Sequence, residues 1–146
     1  MAYLLSVGIF GPGTDEPAHW GFVIHQTTQR TGELLHTRMI DENLNMFQFE
    51  HRAPHRLISQ SAWGLCKIRV LDNTERLTVM SVLKKVPAPK GGNENCQNWV
   101  IHGFIDLEVD GLVPEGTAEA WGKRIGLASS KVKNDIGNAW ISLNGR

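Results

Sequence analysis

Apolar positions along this chain follow two periods. The first half repeats every second residue, and the second half repeats at three- and four-residue steps. Residues 2–10, "AYLLSVGIF", are apolar and β-prone and stop at the Gly/Pro/Asp cluster "GPGTDEP", which predicts a first strand and then a loop. In "HWGFVIHQ" (19–26), Trp20, Phe22 and Ile24 share one face. After a turn at "TTQRTG", the segment "ELLHTRMI" (33–40) reads as the returning strand of a hairpin. "MFQFEHR" (46–52) sets Met46, Gln48 and Glu50 against Phe47 and Phe49. "LCKIRVL" (65–71) sets Cys66, Ile68 and Val70 against Lys67 and Arg69, and both are patterns of half-buried strands. "HRLISQSAWG", between them, fits neither period.

The period changes at residue 73. "NTERLTVMSVLKKV" (73–86) carries Leu77, Met80 and Leu83 at helical spacing, with Asn73 or Thr74 as the expected cap and Lys84 and Lys85 at the negative end of the dipole. "PAPKGGNEN" (87–95) is a loop. From Cys96 onward, Trp99, Val100, Phe104 and Leu107 define a second helix, which Asn95 caps and Gly111 ends. "PEGTAEAWGKRIGLA" predicts a further short helix, and "AWISL" suits a strand. Strands followed by helices predict an α+β fold, an antiparallel β-sheet packed by helices. At 146 residues the expectation is a single domain, 1–146, that buries its core without disulfides or metal.

Composition narrows the function classes. Lys plus Arg is 15 and Asp plus Glu is 15, so the net charge of +0 argues against nucleic acid as a partner. No stretch approaches the roughly 18–20 apolar residues of a membrane span. The start lacks a basic leader and reads as a strand. Cys66 and Cys96 are the two cysteines, so no disulfide framework is expected, and a reducing, cytoplasmic setting fits. No pattern specifies an oligomeric state. "GPGTDEP" and "KGGNEN" lack the Lys–Ser/Thr element of a phosphate loop.

The candidate chemistry gathers around Cys96. At a helix mouth the unpaired amides and the dipole favour a thiolate, and the same amides can donate to an oxyanion. The alternative is a cysteine that only packs on the first turn. His19 opens a strand and is a candidate proton acceptor; His36, on the returning strand, can fix its tautomer. A hairpin symmetric about "TTQRTG" sets Val23 opposite His36, so bringing the two histidines together calls for a bulge. Trp20, Gln97 and Trp99 flank the site, as substrate contacts or, on the plainer reading, as core and helix surface. His19, His36 and Cys96 are zinc-ligand types, but no close-spaced ligand pair supports a metal. "EHRAPHR" (50–56) reads as a solvated loop or as a contact for an anionic substrate. His25 is expected at the surface, and His102 on a helix face away from Cys96.

The ordered set "AHWGFVI" (18–24), "LLH" (34–36) and "NCQNW" (95–99) resembles the circularly permuted papain-like superfamily. That group includes NlpC-type peptidases and lecithin–retinol acyltransferase-like enzymes. In permuted members the His strand precedes the Cys helix, as here. The set is also similar to small fungal proteins with an "HW…H…NCQ-x-W" pattern. The resemblance spans roughly residues 3 to 110 and implies a permuted NlpC-type arrangement with strands before the Cys-bearing helix. It implies Cys96 as nucleophile, His19 as base and His36 as the orienting residue, with no cofactor and no metal. The implied activity is a cysteine-dependent hydrolase or acyl transferase, acting on an amide, ester or thioester of a small molecule or peptide. Two alternatives stand beside it: a non-catalytic binding module on the same fold, and a cyclase or isomerase in which His19 and His36 do acid–base work.

Overall fold

Five strands form before the first helix: β1 (Tyr3–Phe10), β2 (His19–His25), β3 (Thr31–Asp41), β4 (Met46–Arg56) and β5 (Ala62–Leu71). Helices α1 (Asn73–Lys84), α2 (Cys96–Val109), α3 (Thr117–Gly122) and α4 (Ser129–Ile136) follow, with a last short strand β6 (Trp140–Ser142). The computed structural model describes residues 2–11, 13 and 16–146; residues 12, 14 and 15 of the predicted "GPGTDEP" loop lie outside the described residues. The strands make one antiparallel sheet in the order β4-β3-β2-β1-β5-β6. The α+β architecture is therefore as the two periods predicted.

Strand parity sorts side chains between the two faces of the sheet. Trp20, Phe22, Ile24 and Leu35 join Trp99, Val100, Phe104 and Leu107 of α2 in the main core. Val23 and Leu34 join Phe10, Leu57, Leu65 and Leu143 in a second cluster. Helix α2 packs against β2 and β3, so its N-terminus comes down beside the start of β2.

Several local expectations change. In β5, Leu5 of β1 pairs with Arg69 but Ser6 pairs with Lys67, so Ile68 is an extra residue. That bulge reverses the parity beyond it. Val70 is exposed and Leu71 is buried, against the uniform alternation expected. Asp72, not Asn73 or Thr74, caps α1: it accepts from the Glu75 amide, and Glu75 reaches back in a capping box. Val79 is buried with Met80 and Leu83, while Leu77 faces solvent, so the core face lies to one side of the expected stripe. His25 is buried because β2 is an interior strand, flanked by β1 and β3. "EHRAPHR" is not a loop but the second half of β4. Among the described residues, no helix is long and apolar enough to cross a membrane.

Candidate active site

The β2–β3 register pairs Phe22 with Leu35, Val23 with Leu34 and Ile24 with Glu33. Continuing it sets His36 beside Gly21, with His19 two residues further along β2. No bulge is needed: the turn is centred earlier than "TTQRTG" suggested, and Val23 faces Leu34 rather than His36. Glycine is required at position 21, because a Cβ there would lie 2.9 Å from His36 Cβ and from Leu34 Cδ1. The open space lets the imidazoles meet diagonally, and His19 Nε2 lies 2.9 Å from His36 Nδ1.

The chain of contacts continues one strand further. His36 pairs with Glu50 in the β3–β4 register, and His36 Nε2 lies 2.8 Å from Glu50 Oε1. The Arg52 guanidinium donates to the same oxygen at 2.9 Å, and Arg38 Nε is 3.7 Å from Glu50 Oε2. The hydrogen bond from His36 holds the Glu50 carboxyl below its usual range, so it is an acceptor only. His36 must then donate through Nε2, which leaves a lone pair on its Nδ1. His19 donates to that lone pair through its own Nε2, and the basic nitrogen of His19 is Nδ1. Burial, with His36 alongside, lowers His19 to about 4. Burial also lowers His36, against the hydrogen bond and charge of Glu50. Both imidazoles are neutral at pH 7.

Glu50 was not among the residues singled out from sequence, where alternation grouped it with Met46 and Gln48, opposite Phe47 and Phe49. The signal that leads to it is the second hairpin. Counting back along both strands from the turn after Asp41, which pairs with Met46, arrives within one residue of the His36–Glu50 pair.

Cys96 comes from the helix side of the sheet. Asn95 caps α2 as expected, accepting from the Gln97 amide in a capping box with Asn98. The sulfur is buried. Burial pushes the thiol up, against hydrogen bonds from the backbone amides of Trp20, Gln97 and Cys96 itself. A depressed thiol pKa was the sequence expectation; here desolvation outweighs the helix mouth. The Trp20 amide belongs to the residue after His19, so the thiol sits against the backbone at the start of β2. Among the described residues, no hydrogen bond joins the Cys96 sulfur to His19. Cys66, the other thiol, is fully buried and pushed up to about 12.

The three residues expected against substrate are all inside the protein. Trp20 is buried edge-on to Trp121, and Trp99 donates to the Val86 carbonyl between Phe22 and Phe49. Both are too apolar and too central in the sheet–helix interface to be left at a pocket wall. Gln97 is 1% exposed; its amide donates to the Ala18 carbonyl at 2.6 Å and accepts from the Gly126 amide at 2.8 Å. It clamps the segment entering His19 to the first turn of α2. His102 pairs instead with Glu94 at 3.2 Å. Among the described residues, no group of three His, Cys, Asp or Glu side chains is placed to hold a metal ion.

A cavity of about 510 Å³ opens on the histidine pair. His19, His36, Phe10, Leu34 and the end of β4 line it, and Cys96 does not. Every residue of the His19–His36–Glu50 chain, and Cys96, falls within residues 3–114, which match the family model described as a family of unknown function (DUF6540). No curated protein and no solved structure matches the chain.

Proposed function

We propose that this chain, which belongs to the DUF6540 family, is a cysteine-dependent hydrolase or acyl transferase. What carries the reading is the hydrogen-bonded chain from Glu50 through His36 to His19, which leaves His19 Nδ1 as a neutral base one residue from the amide that touches the Cys96 sulfur. With the thiol pushed up and the imidazole pushed down, the resting pair is uncharged. Proton transfer is then coupled to attack: as the sulfur bonds to a substrate carbonyl, its proton passes to His19 Nδ1. The amides at the mouth of α2 are donors for the resulting oxyanion. His19 returns the proton to the leaving amine, alcohol or thiol, and water or another nucleophile releases the acyl group from Cys96. The permuted NlpC-type arrangement, to which the order of His strand and Cys helix is similar, supports the same assignment.

The test is acylation by p-nitrophenyl acetate, read as p-nitrophenolate release and as an acetyl adduct by intact mass. The adduct should map to Cys96 and be absent in Cys96→Ala, with Cys66 unmodified. His19→Ala should slow acylation by about 10²-fold or more, the usual scale of general-base loss. An unmodified Cys96, or an equal rate in His19→Ala, overturns the reading.

One observation favours a second reading. The cavity is bounded by His19 and His36 and not by Cys96, which suits an acid–base isomerase or cyclase with the histidine pair as its proton-transfer groups. In that case Cys96→Ser keeps most turnover and His19→Ala loses it.

A further inference from the structure

Part of the wall of the cavity comes from the end of β4, the half of the strand that sequence alone read as a loop. Arg52 and Arg56 both line it, and among the described residues no carboxylate does. Arg52 is tied to Glu50. Arg56 is exposed and has no ion pair among the described residues. Two arginines in the lining of one cavity, in a chain of net charge +0, make a local positive site. Between them, His55 is only 6% exposed and lines the same cavity, and its ring nitrogens have no hydrogen bond within the protein among the described residues. Its ring donor and acceptor are left to whatever fills the cavity, a ligand or water. Phe10, Leu34 and Pro54 supply an apolar wall. Few polar groups converging on an apolar surface is the usual build of a small-molecule site, and the volume lies in the usual range.

We infer that the cavity binds the carboxylate of a small acyl amino acid or similar carboxylate-bearing amide or ester, with its carboxylate on Arg56 and Arg52, its amide or ester group on His55, and its apolar part on Phe10 and Leu34. This rests on the reading of His19 as the proton-transfer group, which both readings of the function share. Guanidinium supplies the bidentate fork that a carboxylate matches.

Binding is measured apart from chemistry, in Cys96→Ala, by calorimetry and by amide chemical-shift changes. The probes are N-acetyl-leucine and its uncharged counterpart N-acetyl-leucinamide. The carboxylate should bind at least about tenfold tighter than the amide, the scale of one charge-assisted pair. Its shifts should centre on residues 52–56, and the preference should shrink as salt is raised. Arg56→Gln should remove most of the preference. Equal binding of the two probes, or a preference that survives Arg56→Gln, overturns the inference. The two proposals fail separately. A carboxylate preference without Cys96 acylation sinks only the nucleophile; Cys96 acylation with no carboxylate preference sinks only the pocket.

Discussion

Glu50 sets the direction in which the histidine pair shares its protons. Without the carboxylate, His36 is free to take either tautomer, and His19 Nδ1 is no longer held as the lone-pair nitrogen. Glu50 also opposes the burial that lowers His36. Glu50→Ala should therefore move the His36 titration further down, observed through the ring nitrogens by NMR, and slow Cys96 acylation by about 10-fold or more on the scale of lost orienting partners. Glu50→Gln, which keeps an acceptor, should recover part of the rate. A role confined to packing would leave the His36 titration and the conservative rescue untouched. At this scale the sequence was legible for the meeting of His19 and His36, which are hydrogen-bonded to each other. It was not legible for Gln97. A glutamine after a helix-mouth cysteine reads as a substrate contact or as solvated, because the two backbone groups it satisfies, on Ala18 and Gly126, are remote in sequence.

At the scale of elements, that glutamine joins three of them: the lead into β2, the first turn of α2 and the loop after α3. Gln97→Ala leaves the buried Ala18 carbonyl without that donor, a loss of about 1–3 kcal/mol, while the exposed Gly126 amide can turn to water. Denaturant unfolding should show a loss in that range, and Cys96 acylation should slow as the Ala18–His19 segment loosens from α2. A loss of stability with full acylation would show that the clamp holds the fold without aligning the site. The elements themselves were mostly readable from period alone, because interior strands and the buried face of α2 leave little choice of parity. The errors fell where a single residue moves a register. An extra residue in β5 exposed Val70, and a turn centred earlier than the Thr/Gly-rich motif suggested moved His36 from Val23 to Gly21.

Across the whole molecule, four histidines share one electrostatic condition. His19, His25, His36 and His55 all lie below their unfolded value of 6.5, with burial the first cause in each, and His19 and His55 reach about 4. Between those values the unfolded chain binds protons that the native state refuses. Stability from neutral imidazoles is thus complete above pH 6.5 and lost progressively as pH falls toward about 4. Thermal unfolding midpoints should drop steeply from pH 7 to pH 4.5, and His25→Leu should flatten that slope; an unchanged slope would remove His25 from the account. Burial of this kind was invisible in the sequence, where "EHRAPHR" looked solvated, because only the sheet's second face covers His55. The same sheet has a mechanical consequence. His19, His36 and Glu50 stand on three successive strands, so their chain runs across the polypeptide rather than along it. Its spacing is fixed by the interstrand ladder, about 4.8 Å per step, and not by any loop. The turns at 26–30 and 42–45 are free to lengthen or drift in sequence without altering it. One residue gained or lost inside β3 would instead turn His36 through the sheet to the helix side and sever it.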